Sequence, residues 1–159
     1  MMSLVLAAFL ILPGSGAQQA RQQETVTLSV EPPAVGVRAG SSARATVLVG
    51  VAKGWHINSA SPADSELVAT TLAATPPPGI TVAGVRFPPA ARKVFAFSSE
   101  PLEVYEGTVP VVLEFSAAEG TAPGEYAVPV DVSYQACNND ICLPPAAFRL
   151  VVTVRVISH

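Results

Sequence analysis

The residues best equipped for chemistry are Cys137 and Cys142, in the segment Tyr-Gln-Ala-Cys-Asn-Asn-Asp-Ile-Cys-Leu-Pro-Pro that begins at Tyr134. They are the only 2 cysteines in the 159 residues. Asn138, Asn139 and Asp140 between them are turn formers, so the spacing predicts a hairpin with one cysteine on each side of its tip. Facing residues of an antiparallel pair have Cβ atoms about 4.5–5.5 Å apart, and a disulfide needs roughly 3.5–4.5 Å. A small local adjustment closes the bond. Three chemistries stand open: a structural staple, a redox-exchange pair and half of a zinc site. A ring of about six residues stabilises by only ~2 kcal/mol in the chain-entropy estimate, which weakens the staple. Zinc needs further ligands, and the chain has only 2 histidines, His56 and His159. No Lys, Arg or His lies within the loop, and Asp140 is acidic. Nothing local activates a thiolate, so the pair reads as a disulfide that is attacked, or as a dithiol that its partner assists. If the alternation ending at Tyr134 continues, Cys137 shares a face with Asp131, Ser133 and Gln135, where a partner thiol reaches it. Asp131 on that face is a candidate for proton movement, set against a plain solvated strand residue.

The elements that must position these residues are strands. Val26, Leu28 and Val30 alternate with Thr27, Ser29 and Glu31. The same period of two recurs at Ala45 to Val51, Val109 to Phe115, Tyr126 to Tyr134 and Phe148 to Val156. Such alternation marks strands with one buried face. Proline and glycine clusters separate them, at Pro32-Pro33, Pro76 to Gly79, Pro88-Pro89 and Pro123-Gly124. About eight or nine short strands at this spacing predict an all-β fold, a sandwich or a small barrel. Pro129 inside a strand predicts an edge, or a position that donates no ladder bond. The parity slip near Gly84 predicts a bulge. From Ser65 to Thr75, β-branched Val68, Thr70 and Thr71 favour a strand over a helix capped by Asp64 or Ser65.

Composition narrows the function. Fifteen prolines argue against a helical bundle. Nine basic residues against 12 acidic ones give a net charge of −3, which offers no footprint for nucleic acid. The chain carries no Gly-x-Ser-x-Gly elbow and no phosphate-binding glycine loop. Residues 3–12 form a short apolar run, followed by Pro13, Gly14 and the small residues Ser15, Gly16 and Ala17. This pattern reads as a secretory signal over residues 1–17, although no Lys or Arg precedes the run. Residues 18–24 then form a linker and residues 25–157 the sandwich domain. Export lets a disulfide persist. Trp55, the only tryptophan, is either an aromatic wall near the cysteines or, as such folds favour, a core residue. His56 tunes a thiol only if the fold brings one near; the plainer alternative is a hydrogen-bonded strand residue.

The segment Tyr134-Gln135-Ala136-Cys137, four residues, Cys142-Leu143-Pro144-Pro145 resembles the active-site segment of the N-terminal periplasmic domain of the thiol:disulfide interchange protein DsbD family. Gly54-Trp55-His56-Ile57-Asn58 is similar to that family's opening motif, and Pro78 to Ile80, Phe87-Pro88, Phe95 to Ser98 and Tyr105-Glu106-Gly107 follow in the same order. The resemblance runs from about Val26 to Val156. It implies an immunoglobulin-like β-sandwich in the periplasm, with Cys137 and Cys142 as the redox pair and no cofactor. It implies an aromatic cap over the cysteines, at Phe95 or Phe97. The expected partners are a membrane electron-transfer protein, supplied in trans because the chain stops at His159, and thioredoxin-fold periplasmic proteins, including cytochrome-maturation factors. The competing expectation is a non-catalytic interaction domain with a structural disulfide.

Overall fold

Period-two alternation becomes one-sided burial. The computed structural model describes residues 24–158, so the export signal expected over residues 1–17 lies outside the described residues. Twelve strands follow one another: β1 (Val26–Glu31), β2 (Ala34–Arg38), β3 (Ser42–Val51), β4 (His56–Asn58), β5 (Thr71–Ala74), β6 (Ile80–Arg86), β7 (Ala91–Lys93), β8 (Leu102–Tyr105), β9 (Thr108–Ala117), β10 (Gly124–Tyr134), β11 (Ala136–Cys137) and β12 (Ala146–Ile157). One sheet has the order β1-β3-β9-β6 and a second the order β2-β12-β10-β5. Val47, Val49, Val111, Leu113 and Phe115 of the first and Val128, Val130, Val132, Val152 and Val154 of the second are fully buried and belong to one core. Burying each such side chain stabilises by about 1.5–3 kcal/mol. The result is an immunoglobulin-like β-sandwich. Pairing is antiparallel throughout except for β2 on β12.

A third sheet, β11-β4-β8-β7, carries the excess over the eight or nine strands expected from the sequence. Its strands are only two to four residues long. In β4 all three residues are buried and in β7 all three are exposed, so neither gives an alternating signal.

Three further expectations meet the structure. The register of β6 on β9 shifts between Val82 and Gly84, which is the expected bulge. Between Ser65 and Thr75 only Thr71–Ala74 is strand. Asp64 caps a turn instead of a helix: its Oδ1 accepts from the Glu66 amide at 2.9 Å and its carbonyl from the Leu67 amide at 3.2 Å. Pro129 lies in β10, which has a neighbour on each side and is not an edge. The Pro129 carbonyl accepts from Thr75 at 2.9 Å, one residue past the end of β5. In an antiparallel strand a residue's nitrogen faces the same neighbour as its carbonyl. The missing donor of Pro129 therefore falls where β5 has ended, and no bond within that strand is lost.

Candidate functional site

The cysteine hairpin grows out of the longest ladder in the sandwich. β10 and β12 pair without interruption from Gly124↔Val156 to Tyr134↔Ala146. At Gln135 the chain leaves that sheet, and β11 pairs with β4 as Ala136↔Ile57 and Cys137↔His56. This switch corrects the expected exposure of Cys137. Ala136 and Cys137 are both buried, Cys137 with 4% of its surface exposed, and the alternation of β10 does not carry through. Cys142 is the exposed member of the pair.

A disulfide joins Cys137 to Cys142 with Cα atoms 4.0 Å apart. The main chain closes the same hairpin on its own. The Asn138 amide donates to the Ile141 carbonyl and the Leu143 amide to the Ala136 carbonyl, both at 2.9 Å. Asn138 Oδ1 accepts from the amides of Asp140 and Ile141, each at 2.8 Å. Gln135 Nε2 donates to the Leu143 carbonyl at 3.1 Å. Gln135 is thus a clamp at the base of the tip.

β4 is aimed by the Gly-Trp-His motif. The Trp55 amide donates to the Ala52 carbonyl at 3.0 Å, and Gly54 takes φ of +84° inside that turn. Non-glycine residues adopt this conformation at a cost of about 1–2 kcal/mol. At the far end, Thr70 Oγ1 donates to the Asn58 carbonyl at 2.6 Å and Asn58 Nδ2 to the Val68 carbonyl at 2.9 Å. His56, 2% exposed, is held directly opposite Cys137. Directly opposed residues of an antiparallel pair present their side chains on one face.

That face carries an aromatic stack. The Phe95 ring lies 4.3 Å from the His56 ring at 29°, and the Phe97 ring lies 5.2 Å from Phe95 at 19°. Phe95 is 8% exposed and Phe97 52%. A turn closed by the Ser98 amide on the Phe95 carbonyl, at 3.1 Å, shapes the loop. An ion pair of Lys93 with Glu106 anchors its start. Burial holds the His56 imidazole below its ordinary pKa; Glu106 opposes that effect and Lys93 adds to it.

On the other flank, Trp55, Ile141 and Leu143 line a cavity of about 430 Å³ with Glu24 and Thr25. Ile141 and Leu143 bracket Cys142, so the cavity opens beside the exposed cysteine. Trp55 is packed against the core and also forms this wall.

Two residues stand apart. Asp131 lies six positions before Cys137, and Arg149 holds its carboxylate with bonds of 2.8 and 2.7 Å. Those bonds keep its pKa below the usual carboxylate value. The structure does not bring it to the disulfide. Tyr134 is buried with its ring 6.0 Å from Phe148, and its hydroxyl has no hydrogen-bond partner among the described residues. Burial pushes its pKa well up. Sequence reasoning missed Lys93 and Ile141, and gave Glu106 no role beyond its place in the Tyr105-Glu106-Gly107 segment. All three reach the site only through the third sheet's register and the hairpin tip.

A family model gives the family, and solved structures share the fold. The family model described as thiol:disulfide interchange protein DsbD, N-terminal, matches residues 20–152. Among solved structures, the N-terminal domain of DsbD from Neisseria meningitidis, in its reduced form, superposes with a TM-score of 0.51 at 16% identity, over 84% of this chain and 88% of that one. The N-terminal periplasmic domain of ScsB from Proteus mirabilis superposes with a TM-score of 0.57 at 14% identity, over 89% of this chain and 48% of that one. This chain therefore spans about half of the ScsB chain. No curated protein matches in sequence.

Proposed function

The chain belongs to the family of the N-terminal domain of the thiol:disulfide interchange protein DsbD, and on that premise we propose that it passes electrons by dithiol–disulfide exchange through Cys137 and Cys142. The observation that carries this reading is the asymmetry of the disulfide. Cys142 is exposed beside a cavity, whereas Cys137 is buried opposite His56 on the face that Phe95 and Phe97 cover.

That asymmetry gives the exchange an order. A partner thiolate attacks Sγ of Cys142. The Cys137–Cys142 bond breaks, a mixed disulfide forms on Cys142, and Cys137 leaves with the electron pair. A second partner thiol then attacks the mixed disulfide. The domain is left as a dithiol and the partner as a disulfide. Run in reverse against a different partner, the same steps pass the two electrons on. The electrons come from a membrane reductant system and go to thioredoxin-fold proteins in the periplasm, where the exported domain works as a soluble carrier. Phe95 and Phe97 act as the cap that restrains exchange with other thiols. The 430 Å³ cavity lined by Trp55, Ile141 and Leu143 receives the partner surface next to its cysteine.

The test is the reduction potential of the pair in the purified mature protein, equilibrated against defined thiol buffers. An electron carrier falls roughly between −180 and −270 mV. A value below about −300 mV makes the bond a structural staple. The interaction-domain reading then replaces this one.

A further inference from the structure

We propose that His56 is the acid–base partner of Cys137: it takes up a proton as the disulfide opens and holds the released Cys137 sulfur as a thiolate–imidazolium pair. This inference rests on the exchange reading above and assigns a role to a residue of the same site.

The geometry comes first. Cys137 and His56 are direct partners in the β11–β4 ladder. Their side chains share a face with Cβ atoms about 4.5–5.5 Å apart, within reach of an imidazole nitrogen and a sulfur. Both residues are buried, at 4% and 2% exposed. On the other side of β4 the register runs Asn58↔Val104 and Ile57↔Tyr105. The next position across from His56 is Glu106, whose carboxylate pairs with Lys93. Cys142, Cys137, His56 and Glu106 thus form one row across the strands.

The chemistry follows from burial. A thiolate released at a buried position is costly without a proton or a counter-charge. The charged and titratable groups that face His56 are Cys137 from β11, Glu106 after β8 and Lys93 from β7; the cap loop contributes only Phe95 and Phe97. In the disulfide state Cys137 carries no charge, and burial keeps His56 neutral. When Cys142 is attacked, negative charge develops on Cys137 and reverses the preference. An opposite charge at this distance favours the ionised imidazole. Glu106 supports the cation from the far side, and the face of Phe95 supports it from above. The step balances without another reagent. The partner attacks as a thiolate, its proton already given to solvent, and its sulfur bonds to Sγ of Cys142, while His56 takes up a proton from solvent. The Cys137–Cys142 bond breaks, and its electron pair stays on Cys137.

The test needs no exchange partner. His56 is titrated by NMR in the wild-type protein, once oxidised and once chemically reduced, with His159 as the only other histidine. The pair predicts a proton affinity for His56 about tenfold or more higher in the reduced state. In the reduced variant His56→Phe, which keeps a ring for Phe95 to stack on, thiolate absorbance should show Cys137 ionising about tenfold less readily while Cys142 is unmoved. His56→Gln, which offers a hydrogen bond but takes no proton, should leave the thiol as weakly acidic as His56→Phe does. Identical titration of wild-type His56 in both redox states overturns the proposal, whether or not the variants fold. The exchange reading fails separately. A staple-like potential together with an intact His56 shift removes the carrier function and keeps the pair. A carrier-like potential without the shift does the reverse.

Discussion

Replacing Phe95 with alanine should uncover the face that His56 shares with Cys137, beside the disulfide, without altering the bond. The ring is 8% exposed and stacks 4.3 Å from His56. Burying a phenylalanine stabilises by about 1.5–3 kcal/mol, and an aromatic pair adds about 0.5–1.5 kcal/mol. Taking the low end of each, because the ring sits on a loop, Phe95→Ala weakens cap closure by about 2 kcal/mol. Each 1.4 kcal/mol is a factor of ten, so the open population rises roughly 30-fold. If a small dithiol reaches the bond through the open state, its rate of reduction rises by the same factor, up to the point where the cap is mostly open. Phe97 is 52% exposed, and its removal should accelerate reduction by less than about fivefold. The assay is stopped-flow mixing of oxidised protein with dithiothreitol, followed by the fluorescence of Trp55. That residue is the only tryptophan and lines the cavity beside Cys142. Urea midpoints of each variant show whether global unfolding supplies a competing route. Reduction of Phe95→Ala within twofold of wild type, or faster reduction in Phe97→Ala than in Phe95→Ala, refutes gating by this ring.

Three other outcomes are expected. The double variant Cys137→Ser, Cys142→Ser should keep its circular dichroism and lose about 2 kcal/mol in urea unfolding, the value for a ring of about six residues; loss of the fold would make the bond a staple. Tyr134→Phe removes a buried hydroxyl that has no partner among the described residues, so it should be neutral or stabilising by about 1 kcal/mol; a loss larger than that shows that the hydroxyl is engaged. His56 sits below its ordinary pKa of 6.5 when folded, so between that lowered value and 6.5 the unfolded chain binds more protons. The corresponding stability is fully present above 6.5, falls as the pH drops below it and levels off beneath the folded value. Urea midpoints between about pH 7.5 and pH 5 should therefore fall less in His56→Phe than in wild type.

The sandwich was legible because its strands are amphipathic. Val128, Val130, Val132 and Tyr134 face the core as their alternation requires, and so do Val109, Val111, Leu113 and Phe115. The cysteine hairpin was legible from its turn residues. The third sheet was not. His-Ile-Asn in β4 is buried on both faces, so its pattern has no period to read. In the proposed exchange that sheet gives the site its chemistry, since it sets His56 opposite Cys137, 81 positions later in the chain, in a register that no local rule specifies. The exposure of Cys137 was misjudged for the same reason. Parity holds only while a strand stays in one sheet, and the chain changes sheets at Gln135.

If the disulfide opens as proposed, the sheet change lets it do so without unfolding the domain. The bond spans five positions, in a hairpin that main-chain bonds already close at Asn138 and Leu143. Gln135 ties the base of the tip to the Leu143 carbonyl, and β4 holds β11 from the other side. Cleavage therefore releases little chain, and both sulfurs stay close enough to rejoin. A staple does the opposite: it joins segments that would separate without it, and its loss frees a long loop. By that measure the hairpin supports the proposed cycling of Cys137 and Cys142. Burial of Cys137 adds direction to the cycle, because it leaves Cys142 as the sulfur that a large partner can approach in line.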